Sequence, residues 1–129
     1  MLRQFVEDLA LYAGEDHAAR RRNHYAIERL LQLLCESAAD TGIQVLRREG
    51  VRFRETYRDI FAALRDHCGL PEELADRLMD ACGMRNVLTH LYDTIDQDRV
   101  IAAVEPAVEL YRSYLEWLEA REPETGSPR

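Results

Sequence analysis

An all-α fold, a single-domain helical bundle of about five helices, is what this sequence predicts, and three observations predict it. Apolar residues recur three and four apart along nearly the whole chain, the spacing of an amphipathic helix. No short alternating run of the kind that marks a strand interrupts them. Glycine and proline are sparse, six and four in 129 residues, and Gly14, Gly50, Gly69 and Pro71 fall where helices stop or start.

Each element follows from local signals. A first helix is expected over residues 2–12, ending at Gly14-Glu15-Asp16. The second is long, from residue 17 or 22 to residue 48, with Ile27, Leu30, Leu31, Leu34, Cys35 and Ala38 on one stripe. Arg47 and Arg48 suit the negative end of its dipole, and Gly50 is placed to cap it. A third helix covers about residues 56–67 until Gly69 breaks it. Pro71 opens a fourth, where its missing N–H costs nothing. That helix runs to about residue 91 and turns Leu74, Leu78, Ala81, Leu88 and Leu91 inward. The fifth begins near Asp96 and carries a heptad-like seam, Ile101, Val104, Val108, Tyr111, Leu115 and Leu118. Pro106 should kink or divide it. Residues 1–121 are thus expected to form one domain, and residues 122–129 a disordered tail with too little apolar surface to order itself.

Composition narrows the function classes. Hydrophobic residues at 47% and charged ones at 32% suit a globular chain rather than a disordered or membrane one. No apolar run approaches the roughly 18 residues of a membrane span, and the acidic N-terminal turns do not look like a signal peptide. A cytoplasmic protein with no membrane partner is the expectation. Cys35, Cys68 and Cys82 are an odd count with no C-x-x-C pair, so reduced thiols are expected and no metal site. No cofactor is expected either. The net charge of −7 argues against nucleic acid at the level of the whole chain, but only a cleft has to be basic. All 17 basic residues are arginine, so any phosphate contact made by a basic side chain uses a guanidinium.

One stretch concentrates chemistry: Gly83-Met84-Arg85-Asn86-Val87-Leu88-Thr89-His90-Leu91-Tyr92-Asp93-Thr94-Ile95-Asp96. On a helix Asn86 and His90 share a face, and Arg85, Thr89 and Tyr92 fall on the adjoining stripe. The apolar residues between them can anchor the segment to a core.

The pattern R-N-x-L-x-H-x-Y followed by Ile-Asp resembles the HepT-like branch of the HEPN superfamily. The segment Ile27-Glu28-Arg29-Leu30-Leu31-Gln32 is similar to that family's E-R-x-L-Q run, and the resemblance extends over about residues 25–104. It implies a toxin of a toxin–antitoxin system, a metal-independent endoribonuclease in which the RNA 2′-OH attacks the adjacent phosphodiester. Arg85 and His90 would be the catalytic pair, with Asn86 in support. It further implies a homodimer, an RNA substrate and a cognate minimal nucleotidyltransferase (MntA-like) antitoxin that inhibits by AMPylation of Tyr92. The first helix is short against what the family implies.

Plainer readings stand beside these. His90 can be a surface or capping residue, Arg85 can pair with Asp93, Asp96 or Glu36, and Tyr92 can be a packed aromatic with a wet hydroxyl. Glu36 and Asp40, four apart, can face the motif and orient Arg85 or His90, or simply line a solvated face. The run Arg20-Arg21-Arg22 and Arg47, Arg48, Arg52 and Arg54 offer contacts to RNA or antitoxin, or again a solvated face. His17, His24 and His67 read as structural or exposed. Two alternatives to the enzyme remain open: a non-catalytic HEPN module that binds a nucleotidyltransferase partner or nucleotide, and a scaffold that dimerises on the 101–118 seam.

Overall fold

In a computed structural model of the protein, the described residues are 1–90 and 97–121, with the side chains of residues 84–90 outside the description. They form seven helices and no strand: α1 (Leu2–Ala13), α2 (His17–Arg22), α3 (His24–Arg48), α4 (Tyr57–Cys68), α5 (Glu72–His90), α6 (Gln97–Ala102) and α7 (Val104–Arg121). The expected tail, residues 122–129, lies outside the described residues.

The count exceeds five because two of the expected helices are broken. Asp16 caps α2 by accepting from the Ala19 N–H at 2.8 Å, and Asn23 ends it after six residues by bonding the carbonyls of Ala19 and Arg20. The chain then restarts as α3, so the long second helix begins at His24. The second break falls at Ala103, between α6 and α7. Pro106 lies in the first turn of α7, where its missing N–H leaves no helical bond unmade.

The other boundaries follow their signals. Gly50, at φ +71°, closes α3 with its N–H on Arg47 and that of Val51 on Leu46, a left-handed cap that suits glycine. Thr56 opens α4 by accepting from the Asp59 N–H at 3.1 Å and donating to its carboxylate at 2.8 Å. Gly69, at φ +79°, ends α4, and the Pro71 carbonyl accepts the first bond of α5 from Ala75.

Ties between helices fix their directions. Arg3 meets Glu119 and Arg112 meets Glu7, so α1 runs against α7. The Tyr114 hydroxyl donates to the Ala38 carbonyl at 3.0 Å, while Arg121 reaches both Glu49 and the Cys68 carbonyl. The C-terminal ends of α3, α4 and α7 therefore meet at one end of the bundle. Residues 49–56 cross back so that α4 runs parallel to α3, and the Gly69 turn sends α5 back antiparallel to both. Its end, with Arg85 and His90, is carried to the N-terminal end of α3.

The core runs between these helices and holds Ile27, Leu34, Leu46, Phe61, Leu64, Leu78, Tyr111 and Tyr114. Removing side chains of this size from water stabilises the fold by roughly 1.5–3 kcal/mol each. Of the α5 residues expected inward, Leu78 is fully buried and Leu74 and Ala81 are partly so; Leu88 and Leu91 lie outside the described side chains. Ile101, Val104, Val108, Tyr111 and Leu118 of the heptad-like seam are buried inside the chain, with Leu115 packed against the core. The seam is thus internal, which removes the surface on which the dimerising-scaffold reading stood.

The cysteines correct an expectation. Cys35 of α3 and Cys82 of α5 form a disulfide with Cα atoms 5.7 Å apart, and only Cys68 is a free, buried thiol. A separation of 47 residues gives no pairing signal in the sequence. Helix packing creates it, by setting two buried positions at bridging distance.

Candidate active site

The residues singled out by sequence lie on α5 and across from it on α3. Arg85 and Asn86 stand one turn past Cys82 and His90 about two turns past it, on continuous helix. Their side chains are outside the description, and Tyr92 lies outside the described residues. Glu36, the candidate orienting acid, is half-buried on α3 beside the bridged Cys35. It lines a cavity of about 790 Å³ together with Asp40, Tyr57, Arg58, Asp80 and Gly83. The fold therefore brings Glu36 alongside the stretch that leads into Arg85. Asp40 and Glu55 share the same wall, so the cavity carries four carboxylates against one guanidinium. An excess of carboxylates of this kind disfavours a phosphodiester in that cavity.

The arginine run at residues 20–22 divides into three roles. Arg20 is a structural tie with only 11% of its side chain exposed. It donates to the carbonyls of Ala13, Glu15 and Ile101 and to Glu105, joining α1, α2, α6 and α7. The hydrogen bond to Glu105 raises the guanidinium above its already high range and holds the Glu105 carboxyl below the usual carboxylate range. Arg21 pairs with Asp98 at 2.6 Å, beside His17 at 3.6 Å. Arg22 is exposed.

A pair that sequence reading passed over lies near the same end. His24 and Glu28, both on α3, are hydrogen-bonded from Nδ1 to the carboxylate at 2.9 Å. Their side chains are only 15% and 12% exposed. The i, i+4 spacing of a histidine and a glutamate was the available signal. The exposed Tyr25 ring leans on the His24 ring, with centroids 4.1 Å apart. No group of metal-ligating side chains occurs among the described residues. No helix among them is long and apolar enough to cross a membrane.

The model of the family described as Ribonuclease HepT-like matches residues 2–118, nearly the whole described chain. The chain belongs to the HepT-like ribonuclease family. Membership assigns its enzyme class, a ribonuclease. Among curated HepT-like relatives, the tRNA nuclease HepT of Aphanizomenon flos-aquae is 31% identical over 101 residues, covering 78% of this chain and 69% of that protein. The mRNA nuclease HepT of Shewanella oneidensis is 26% identical over 90 residues, covering 70% and 68%. A putative RNase of Archaeoglobus fulgidus is 30% identical over 84 residues, covering 65% and 63%. The HepT-like fold is also that of a chain in a crystal structure of a toxin–antitoxin with AMP-PNP, at TM-score 0.80 and 18% identity over 91% of each chain.

Proposed function

We propose that this chain is the toxin of a toxin–antitoxin system, a cytoplasmic, metal-independent endoribonuclease acting through Arg85 and His90. The observation that carries this reading is the sequence pattern Arg85-Asn86-x3-His90-x-Tyr92 in a chain of this family, with Arg85, Asn86 and His90 on the last turns of α5. The nuclease names of two relatives support RNA as substrate.

The chemistry needs few groups. The RNA 2′-OH attacks phosphorus, the bond from phosphorus to the 5′-oxygen breaks, and a 2′,3′-cyclic phosphate and a 5′-hydroxyl remain. His90 moves the proton, since imidazole titrates near neutrality. Arg85 holds the phosphate and balances the charge that builds on its oxygens. Asn86 orients the imidazole or donates to the phosphate, and Glu36, beside the approach to Arg85, is the orienting acid. Two copies of the chain, a homodimer, set two motifs facing one cleft. A minimal nucleotidyltransferase antitoxin restrains the enzyme by transferring AMP to Tyr92. The added phosphate and base then repel and block RNA at the lip of the site.

The test is cleavage of mixed tRNA and mRNA by the purified chain in EDTA. Cuts ending in cyclic phosphate are expected from the unsubstituted protein, and none from His90→Ala or Arg85→Ala, both of which should remain folded and helical. Cleavage by either folded variant would remove that residue from the mechanism. No cleavage by the unsubstituted chain, with Tyr92 unmodified by mass spectrometry, would remove the reading itself.

A further inference from the structure

The His24–Glu28 pair lies on the side of α3 that faces α5. At about 100° per residue, both positions fall within about 20° of Cys35 around the helix axis. Cys35 is bonded to Cys82, so this stripe points at α5. The level along the bundle agrees. Glu28 and His24 lie roughly 10 and 16 Å beyond Cys35 on α3, and His90 lies roughly 12 Å beyond Cys82 on α5. The two helices are antiparallel, so all three positions lie in the same direction from the disulfide. The pair is thus level with the end of α5, and α6 also packs on α3.

Its chemistry suits a fixed hydrogen-bonding group more than a solvated face. A histidine and a glutamate that are both mostly buried cost desolvation unless their remaining polar atoms are used. Glu28 holds the His24 ring through Nδ1, which leaves Nε2 as the ring's remaining polar atom. The Tyr25 ring covers part of the imidazole and limits its rotation. The residues of α5 nearest the level of the pair are Thr89 and His90, both residue types that carry donors, and Arg85 and Asn86 lie one turn before them on the same helix.

We propose that His24 and Glu28 form a positioning pair for RNA cleavage: Glu28 fixes the His24 imidazole, and the imidazole fixes the catalytic end of α5. The inference rests on the ribonuclease reading of Arg85 and His90 and assigns that site a support on a second helix. The pair does not replace His90 in moving the proton. It holds the segment in the geometry that the reaction needs, and misplacement by an ångström is enough to slow such a step.

The experiment is steady-state cleavage of one RNA by full-length His24→Ala, Glu28→Ala, the double variant and Glu28→Gln, each checked for helicity and Tm. Each single alanine variant is expected to lower kcat about tenfold to a hundredfold with KM within about twofold. The double variant should be no slower than the worse single one, because the two residues act as a unit. Glu28→Gln, which keeps an acceptor for Nδ1–H, should recover most of the loss in Glu28→Ala. A His24→Gln variant serves if His24→Ala does not fold, and should itself lower kcat. Folded variants with kcat within twofold of the unsubstituted chain would overturn the proposal. So would a rise in KM alone, or multiplicative losses in the double variant. In those cases the unsubstituted chain still cuts, and the ribonuclease reading stands; an unsubstituted chain that cuts no RNA removes both.

Discussion

Cys35 and Cys82, 47 residues apart in sequence, are joined across α3 and α5 just three residues before Arg85. The bond pins the motif-bearing helix to the longest helix of the bundle at the point where the motif begins. Closing a loop of this length restricts the unfolded chain and is worth about 2–4 kcal/mol. Cys35→Ala should therefore lower stability by that amount in oxidising buffer, and the difference should shrink sharply in dithiothreitol. Urea melts of both proteins with and without reductant measure it, and equal stability in oxidising buffer would count against a structural bond.

Arg20 and Arg22 should respond oppositely to truncation. Arg20→Ala strips a charged donor from three carbonyls and from Glu105 at the meeting of four helices. A loss of about 2 kcal/mol or more is expected, since hydrogen bonds to charged groups are worth roughly 1.5–3 kcal/mol. Arg22→Ala should leave stability within about 0.5 kcal/mol, as for an ordinary surface site. Thermal melts of the two variants under one buffer decide it.

Glu105 should contribute to the acid limb of stability. Arg20 holds its carboxyl below the usual carboxylate range. A carboxylate whose pKa falls on folding contributes stability above its unfolded pKa and loses it as pH drops through the folded value. The stabilisation is therefore present at neutral pH and lost on the acid side of the ordinary carboxylate range. Glu105→Gln should be less stable than the unsubstituted chain at neutral pH, and the two should converge in acid. Parallel melting profiles from neutral to acid pH would contradict the assignment.

Gly42 lies where side chains of α4 and α7 press on the α3 backbone. A Cβ there would stand 2.9 Å from Leu64 Cδ1, 3.1 Å from Ile60 Cγ2 and 3.1 Å from the Tyr114 hydroxyl. Gly42→Val would force three side chains apart, at about 2 kcal/mol or more. It would also press on the Tyr114 hydroxyl that donates to the Ala38 carbonyl. Denaturant midpoints should show a clear loss, and an unchanged midpoint would mean that α4 and α7 can move aside freely.

Tyr92 is the proposed acceptor of AMP. The unsubstituted chain, incubated with a cognate nucleotidyltransferase and ATP, should gain AMP by mass spectrometry and lose cleavage. Tyr92→Phe should gain none and keep cutting in its presence. AMP found on the Tyr92→Phe protein would place the modification on another residue.

Much of this architecture is legible in the residues because its signals are local. Helical periodicity, Gly50, Gly69 and Pro71 each act within a turn of backbone, and the structure places helix ends at or beside them. The breaks at Asn23 and Ala103 are less legible. In each, apolar spacing continues across the gap, and tertiary ties such as Arg20 to Glu105 hold the shorter pieces in place.

The all-α class, the helix boundaries set by local caps and the motif of Arg85, Asn86, His90 and Tyr92 can all be read from the residues in order. Periodicity and spacing are properties of neighbours in the chain and need no fold to be read. Helix packing brings Cys35 to Cys82, makes Arg20 a tie rather than a free cation and turns the 101–118 seam inward. The same packing sets His24 and Glu28 level with the end of α5. Each of these depends on which helix faces which, and antiparallel packing joins residues that lie tens of positions apart. Burial then decides their chemistry, because a charge or thiol removed from water must find a partner or remain inert.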